Sequence, residues 1–332
     1  MSKLINTWSI TSQFNKKAAN QLGISSLILQ DSNIKGLCHI DSYPDTSFLK
    51  EKEVQNILSF ENFLITKPYQ SIKIYNSKIS SASVINFRNY DQLKNKIKKN
   101  LKILEIGAGI GYLAALVKFM KKDCTYFICD LPSTLNLSHR FLKSNFPKLK
   151  IKYIKDLQNY RNLKQDIILI DNKNIKNLKE KFDLIINIDS FSEMDRQDVD
   201  FYIDFASRNL KKNGSFFISN THGHANESYD CPIDYPFKDK FLINSYSYYN
   251  PSARDNPCKY INLDLLLKKK NKSNKNNLHK KIKKIFYNFS LKEKNLNTDN
   301  QLFFYEYFRK KNMKKIKNYN FSLDIKQKNF CL

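Results

Sequence analysis

Between residues 101 and 220 short apolar runs alternate with longer amphipathic stretches, and this alternation constrains the fold more than any other feature of the chain. LKILEI, TYFICD, KIKYI, DIILI, FDLIINID and SFFISN are the apolar runs. Between them, GYLAALVKFMKK, STLNLSHRFLKSNF and DRQDVDFYIDFASRNLKKNG carry apolar residues at helical spacing. In the last of these Val199, Tyr202, Ile203, Phe205, Ala206 and Leu210 form one stripe, and two lysines followed by Gly214 mark its end. Strands alternating with helices predict an α/β, Rossmann-like architecture, a mostly parallel sheet flanked by helices. Right-handed crossovers then leave few topologies, and the ligand belongs at the carboxyl ends of the strands.

The flanks are less regular. Residues 1–95 read as an N-terminal, partly helical extension that would serve as a lid. Within it FLKEKEVQNILSFENFL (48–64) has helical spacing, and IKIYNSKISSASVINF (72–87) alternates like a strand or extended chain. Residues 96–260 would form the ligand-binding domain itself, although the pattern dissolves after Asn220. Residues 261–332 read as a Lys/Asn-rich insertion and a C-terminal strand region completing the domain. LLLKKKNKSNKNNLHKKIKKIF (265–286) is expected as a solvated helix or loose insertion, and QLFFYEYFRKK (301–311) as the last strand.

With 57 Lys and Arg against 31 Asp and Glu, the formal net charge is +26. The cations are overwhelmingly lysine, dispersed among Asn and Ile, as A/T-rich codon usage alone would produce. Arginine, suited to forked contacts with phosphates and bases, is scarce. The charge therefore suits a solvated surface, with peripheral contact to an anionic membrane or a phosphorylated substrate as the next reading, and no specific nucleic-acid partner is expected. The N-terminus lacks a secretory pattern, and no apolar run approaches the roughly 20 residues that span a bilayer. Six cysteines without a CxxC pair indicate neither a zinc ribbon nor a disulfide framework, so a reducing cytoplasm is the expected location.

LEIGAGIGYL holds three of the chain's seven glycines, Gly107, Gly109 and Gly111. A strand, a bare turn and a helix N-terminus make a corner for an anion or a nucleoside. GIGYLA fits the dinucleotide fingerprint, but its first glycine would then sit three residues past the strand instead of in the first tight turn. Read from Gly107, the loop is acid-x-Gly-x-Gly-x-Gly with Glu105 as the acid. A carboxylate there repels a pyrophosphate and balances the ammonium and sulfonium of S-adenosylmethionine (SAM). Asp130, ending the second strand, can accept both ribose hydroxyls in either cofactor class.

The acid-x-Gly-x-Gly-x-Gly loop resembles the first motif of class I SAM-dependent methyltransferases. CDLPSTLNLSHRFL resembles the second-strand motif of small-molecule O-methyltransferases. FDLIINIDSFSEMDRQDVDFYIDFASRNLKKNGSFFISN, with ILEIGAGIGYLAALV and SASVINFRNY, is similar to the sugar O-methyltransferase family found among bacterial surface-polysaccharide genes. The likeness covers roughly residues 80–245 and is most specific at Asn187, Ser190, Phe191, Glu193 and Met194. It implies that Glu105, Gly107, Ala108, Gly109 and Gly111 hold the amino-acid portion of SAM. By the same resemblance Asp130 takes the ribose, Leu131 lies beside the adenine, and Asn187, Ile188, Asp189 and Ser190 floor the site near the methyl group. Arg88 would reach over the site to a carboxylate of SAM or of substrate. The implied acceptor is a nucleotide- or lipid-linked sugar in surface-glycan biosynthesis.

Methyl transfer requires oxygen, carbon and sulfur in line and removal of the hydroxyl proton, and a sugar hydroxyl needs help to lose it. Related small-molecule enzymes carry a His-Asp pair after the fourth strand, where this chain has Ser192-Glu193. Glu193 is one candidate base, its other reading being a helix-capping carboxylate. His222 and His224, in NTHGHAN after the fifth strand, are the others, against the alternative of a polar loop. The H-x-H spacing with Asp230 or Cys231 matches no recognisable metal site, and no metal is expected. A nucleic-acid or other small-molecule methyltransferase and a non-catalytic SAM-binding protein are the rival functions. The sequence leaves the oligomeric state open.

Overall fold

The computed structural model describes residues 49–65, 71–74, 77–120, 123–154, 165–221, 229, 232–237, 240–249 and 262–269. The chain divides into two compact units, Met1–His279 and Lys280–Leu332, and every described residue belongs to the first. Helix α1 (Glu51–Phe63) precedes a hairpin of β1 (Ser71–Ile74) and β2 (Ser77–Ser80), which leads into helix α2 (Ser81–Leu93). The alternating region supplies β3 (Leu101–Ile106), α3 (Tyr112–Met120), β4 (Cys124–Asp130), α4 (Pro132–Asn145), β5 (Ile151–Ile154), β6 (Ile167–Asp171), β7 (Phe182–Ile188), α5 (Arg196–Asn209) and β8 (Leu210–Thr221). Strands β9 (Phe241–Tyr249) and β10 (Asn262–Lys269) follow.

Eight strands form one sheet in the order β5-β6-β4-β3-β7-β8-β10-β9. The pairs from β5 to β8 are all parallel, while β10 runs antiparallel to both β8 and β9. The Rossmann-like, mostly parallel sheet predicted from the alternation is what the chain forms. From β3 the chain steps outward to β4, lays β5 at the edge, inserts β6 between β5 and β4, then returns to β3's other side with β7. That reversal opens a crevice between the carboxyl ends of β3 and β7, where ligands of open α/β sheets bind. Alternate residues sort to the two faces. Ile103, Tyr126, Ile128, Leu184, Ile186, Phe217 and Leu266 pack in one core with the buried residues of α2, α3 and α4. On the opposite face Phe191, just after β7, stacks with Tyr202 of α5 and lies edge-on to Phe216 of β8.

Two expectations for the flanks need correction. Residues 81–87, read as extended, open helix α2, because the Ser80 hydroxyl caps it by accepting the Ser83 N–H at 3.1 Å. The buried Glu61 of α1 accepts the Ser80 N–H at 2.6 Å, and Phe60 meets Tyr112 edge-on at 5.6 Å, so this extension is seated on α3. Residues 265–269, expected in a solvated helix or loose insertion, lie in β10, with Leu265 and Leu267 fully buried. Lysine-rich surroundings hid a strand whose apolar residues are covered only when it inserts between β8 and β9. The helix expected within 48–64 is α1, and the strand expected at 301–311 lies outside the described residues. Among the described residues no helix is long and apolar enough to cross a membrane.

Candidate functional site

The glycine loop leaves β3 on the crevice. Gly107, Gly109 and Gly111 have φ of 71°, 57° and 81°, the left-handed region in which a side chain costs energy. At Gly107 a Cβ would come within 2.1 Å of Ser190 Oγ and 2.3 Å of Ser190 Cβ, so bare backbone is needed sterically as well. Gly107 donates to the Cys129 carbonyl at 2.8 Å, and the Ser138 hydroxyl of α4 lies 2.6 Å from the Gly109 carbonyl. The loop is thus tied to β4 and α4 on one side and keyed into the turn after β7 on the other.

Two carboxylates flank it. Glu105, 4% exposed, has one hydrogen-bond donor among the described residues, the Tyr126 hydroxyl at 2.8 Å. Burial pushes its carboxyl up to about 8, against a smaller opposing effect of the Tyr126 bond. Asp130 ends β4 and accepts Leu131 N–H at 2.7 Å and Gly109 N–H at 2.9 Å, one on each oxygen. Burial raises it to about 7, opposed by those two bonds and by Thr134. Among the described residues no lysine or arginine pairs with either carboxylate, although the chain carries 57 such cations. Two acids in crowded surroundings, close enough for Asp130 to raise Glu105, can accept a cation and hydroxyl donors from a ligand.

The other wall is the turn after β7. Asp189 adopts φ 55°, rare for a residue with a side chain, and its N–H donates to the Ser219 carbonyl at 2.7 Å. Asn187 is fully enclosed. Its amide nitrogen donates to the Ile106 carbonyl at 2.9 Å and to Ser190 Oγ at 2.5 Å, and its oxygen accepts from Asn220 at 2.7 Å. Asn187 therefore supports the crevice from beneath, leaving Asp189 and Ser190 to form the turn itself. Ile188 and Ala108 are half-buried against the core, and Leu131 is the N-cap of α4. Glu193 closes a single 3-10 turn, Phe191–Glu193, directly after this wall, with its side chain half-buried. His222 and His224 lie outside the described residues.

Arg88 sits on α2, on the sheet face that carries Glu105. What it reaches is a carboxylate of the chain itself, Asp264 of β10, at 2.6 Å. Tyr126, Asn220 and Asp264 were not singled out from sequence. Tyr126 lies four residues before Asp130 on one strand and hence shares its face, a signal that counting along β4 contains. Nothing local marks Asp264.

No protein-family model matches the sequence, and no curated protein matches it. Among solved structures the chain is similar to a cyclopropane synthase, MmaA2, from Mycobacterium tuberculosis, at 10% identity over 67% of this chain and 100% of that one, with a TM-score of 0.44. It is similar to an S-adenosylmethionine-dependent methyltransferase from Clostridium acetobutylicum at 14% identity, 56% and 91% coverage and a TM-score of 0.39. A third is a TehB-like SAM-dependent methyltransferase from Corynebacterium glutamicum, at 13% identity, 56% and 96% coverage and a TM-score of 0.36.

Proposed function

We propose that the protein is a SAM-dependent O-methyltransferase that methylates a sugar hydroxyl during surface-glycan assembly. The observation that carries this reading is the junction of the left-handed glycine loop with Glu105 and Asp130, two acids without a cation partner among the described residues. With its carboxyl raised to about 8, Glu105 holds a proton at neutral pH in the free protein; an ammonium or sulfonium draws it into its ionised form by Coulomb attraction in a low-dielectric pocket, whereas a pyrophosphate gains nothing from that charge. Asp130 keeps lone pairs beyond its two backbone donors for a ribose diol. The sugar acceptor rests on the NIDSFSEM segment and its family likeness.

In this reading SAM supplies a methyl group on a sulfonium, already a good leaving group. The chain's part is to hold the amino-acid portion on the bare loop, fix the ribose at Asp130 and take the acceptor proton. Glu193 is the proposed proton acceptor, half-buried beside the wall at Ser190. His222 and His224 are the alternatives.

Calorimetry with S-adenosylhomocysteine (SAH) tests the cofactor: binding is expected, and an Asp130→Ala variant should bind roughly 10- to 100-fold more weakly, the worth of hydrogen bonds to a charged group. Unchanged affinity in that variant sinks the ribose assignment. Labelled SAM incubated with sugar nucleotides should transfer its label. Glu193→Gln should then keep SAH affinity while turnover drops about 100-fold or more; undiminished turnover moves the base to His222 or His224.

A further inference from the structure

The methyl-transfer reading leaves the acceptor's seat unassigned, and a second polar cluster lies on the same face as Glu105, toward the β10 edge. Its centre is Asp264, 1% exposed. One oxygen, Oδ2, accepts from Arg88 Nη2 at 2.6 Å, Gln92 Nε2 at 2.8 Å and Ser247 Oγ at 2.9 Å. The other, Oδ1, is buried and has no hydrogen-bond partner among the described residues. An ion pair serving only to hold α2 on the sheet would gain most from a two-pronged fork, with one arginine nitrogen on each oxygen. Here Arg88 meets Asp264 through Nη2 alone.

Strand register fixes where this oxygen stands. Ile188, the last residue of β7, pairs with Ser219, which pairs with Asp264, which pairs with Ser247. Paired residues share a face, so Ser219, Asp264 and Ser247 form a polar row across β8, β10 and β9. The row starts at the crevice and reaches Asp264 after two strand spacings, about 10 Å. That is the span of one or two sugar rings with one hydroxyl at the crevice. Arg88 already neutralises Asp264, so a cation has little to gain there, and a phosphate would face a bare carboxylate oxygen. A neutral hydroxyl donor fits, and the serine hydroxyls can both donate and accept beside it.

We propose that Asp264, clamped by Arg88, receives a hydroxyl of a polyhydroxylated acceptor and, with Ser219 and Ser247, forms the subsite that selects it. This rests on the methyltransferase reading. It makes Asp264 a binding residue and gives α2 the task of holding its charge in place. A site built to pair hydroxyls discriminates against analogues that lack them, because its buried polar groups are then left unmet.

The test uses the full chain saturated with SAH, titrated with neutral methyl glycosides and with sugar nucleotides and read by saturation-transfer NMR. Wild type is expected to bind at least one probe. Asp264→Asn turns the open acceptor into an amide donor, since Arg88, Gln92 and Ser247 hold the amide oxygen; affinity for the glycan probe should fall roughly 10- to 100-fold. Because removing the Asp264 charge beside Arg88 can compromise folding, the paired apolar variant Arg88→Met with Asp264→Leu is measured alongside. It should keep SAH affinity and lose the glycan probe. A wild type that does not bind SAH removes the methyltransferase reading itself. SAH bound with the glycan affinity of the paired variant unchanged, or SAH bound with no probe binding to wild type, overturns the subsite alone.

Discussion

Glu105, in the middle of the sheet, and Asp264, three strands away, are both buried carboxylates on one face, yet their surroundings differ in kind. Glu105 has a single neutral donor, Tyr126, and burial lifts it to about 8. Asp264 has an arginine and two further donors gathered on one oxygen. In a chain of net charge +26 a cation for Glu105 was not scarce, yet none among the described residues pairs with it. A buried acid left without a counter-ion is a seat for a cation from outside, whereas one already neutralised can only offer a lone pair to a neutral donor. Under the proposed function, the contrast would separate a donor-binding half of the sheet from an acceptor-binding half.

The largest effect expected from breaking this contrast comes at Asp264. Asp264→Ala removes the buried carboxylate that Arg88 pairs with and should cost about 3–5 kcal/mol in urea denaturation, against near neutrality for the paired apolar variant. If the single variant loses no more than the pair, Arg88 is not held by Asp264 in the way described. Gly107→Ala should cost less, about 2–3 kcal/mol, from left-handed strain and the collision with Ser190. A melting temperature equal to wild type would show that the loop is not keyed to the β7 turn.

Glu105→Gln should cost no stability at neutral pH, which sets it apart from Asp264. The sign follows from its raised carboxyl. Between the ordinary value of 4.5 and about 8 the folded state binds more protons than the unfolded, so stability falls as pH rises through that window. The variant should show a flatter stability profile over the same window. Seating the ligand's ammonium at Glu105 should also expel the proton, about one per SAH at pH 7, measured by calorimetry in buffers of different ionisation enthalpy. A profile unchanged by Glu105→Gln and no proton release would mean that Glu105 is ionised in the free protein.

Much of the sheet was legible because its signals are local. An apolar run such as FDLIINI or TYFICD must be buried on both faces, and the helical stripe of α5 can be counted along one stretch. The glycine loop was legible for the same reason, since left-handed backbone within one short turn calls for glycine wherever the chain folds. Helix α2 was misread because its start depends on its N-cap, Ser80, being held by Glu61, which is 19 residues earlier in the chain. Asn187 appeared as a residue of the floor, but its side chain is consumed by Ile106, Ser190 and Asn220, contacts that no spacing within NIDSFSEM reveals.

The sequence by itself determined the alternating α/β pattern, the bare loop and the acids at the ends of the first two parallel strands, since each follows from residues within a few positions of one another. The tertiary structure alone decided that β10 inserts antiparallel between β8 and β9, that the Tyr126 hydroxyl donates to Glu105, and that Arg88 meets Asp264 across 176 residues. Side chains that distant are brought together by strand order and register, and those are settled by which apolar faces the whole chain can bury at once.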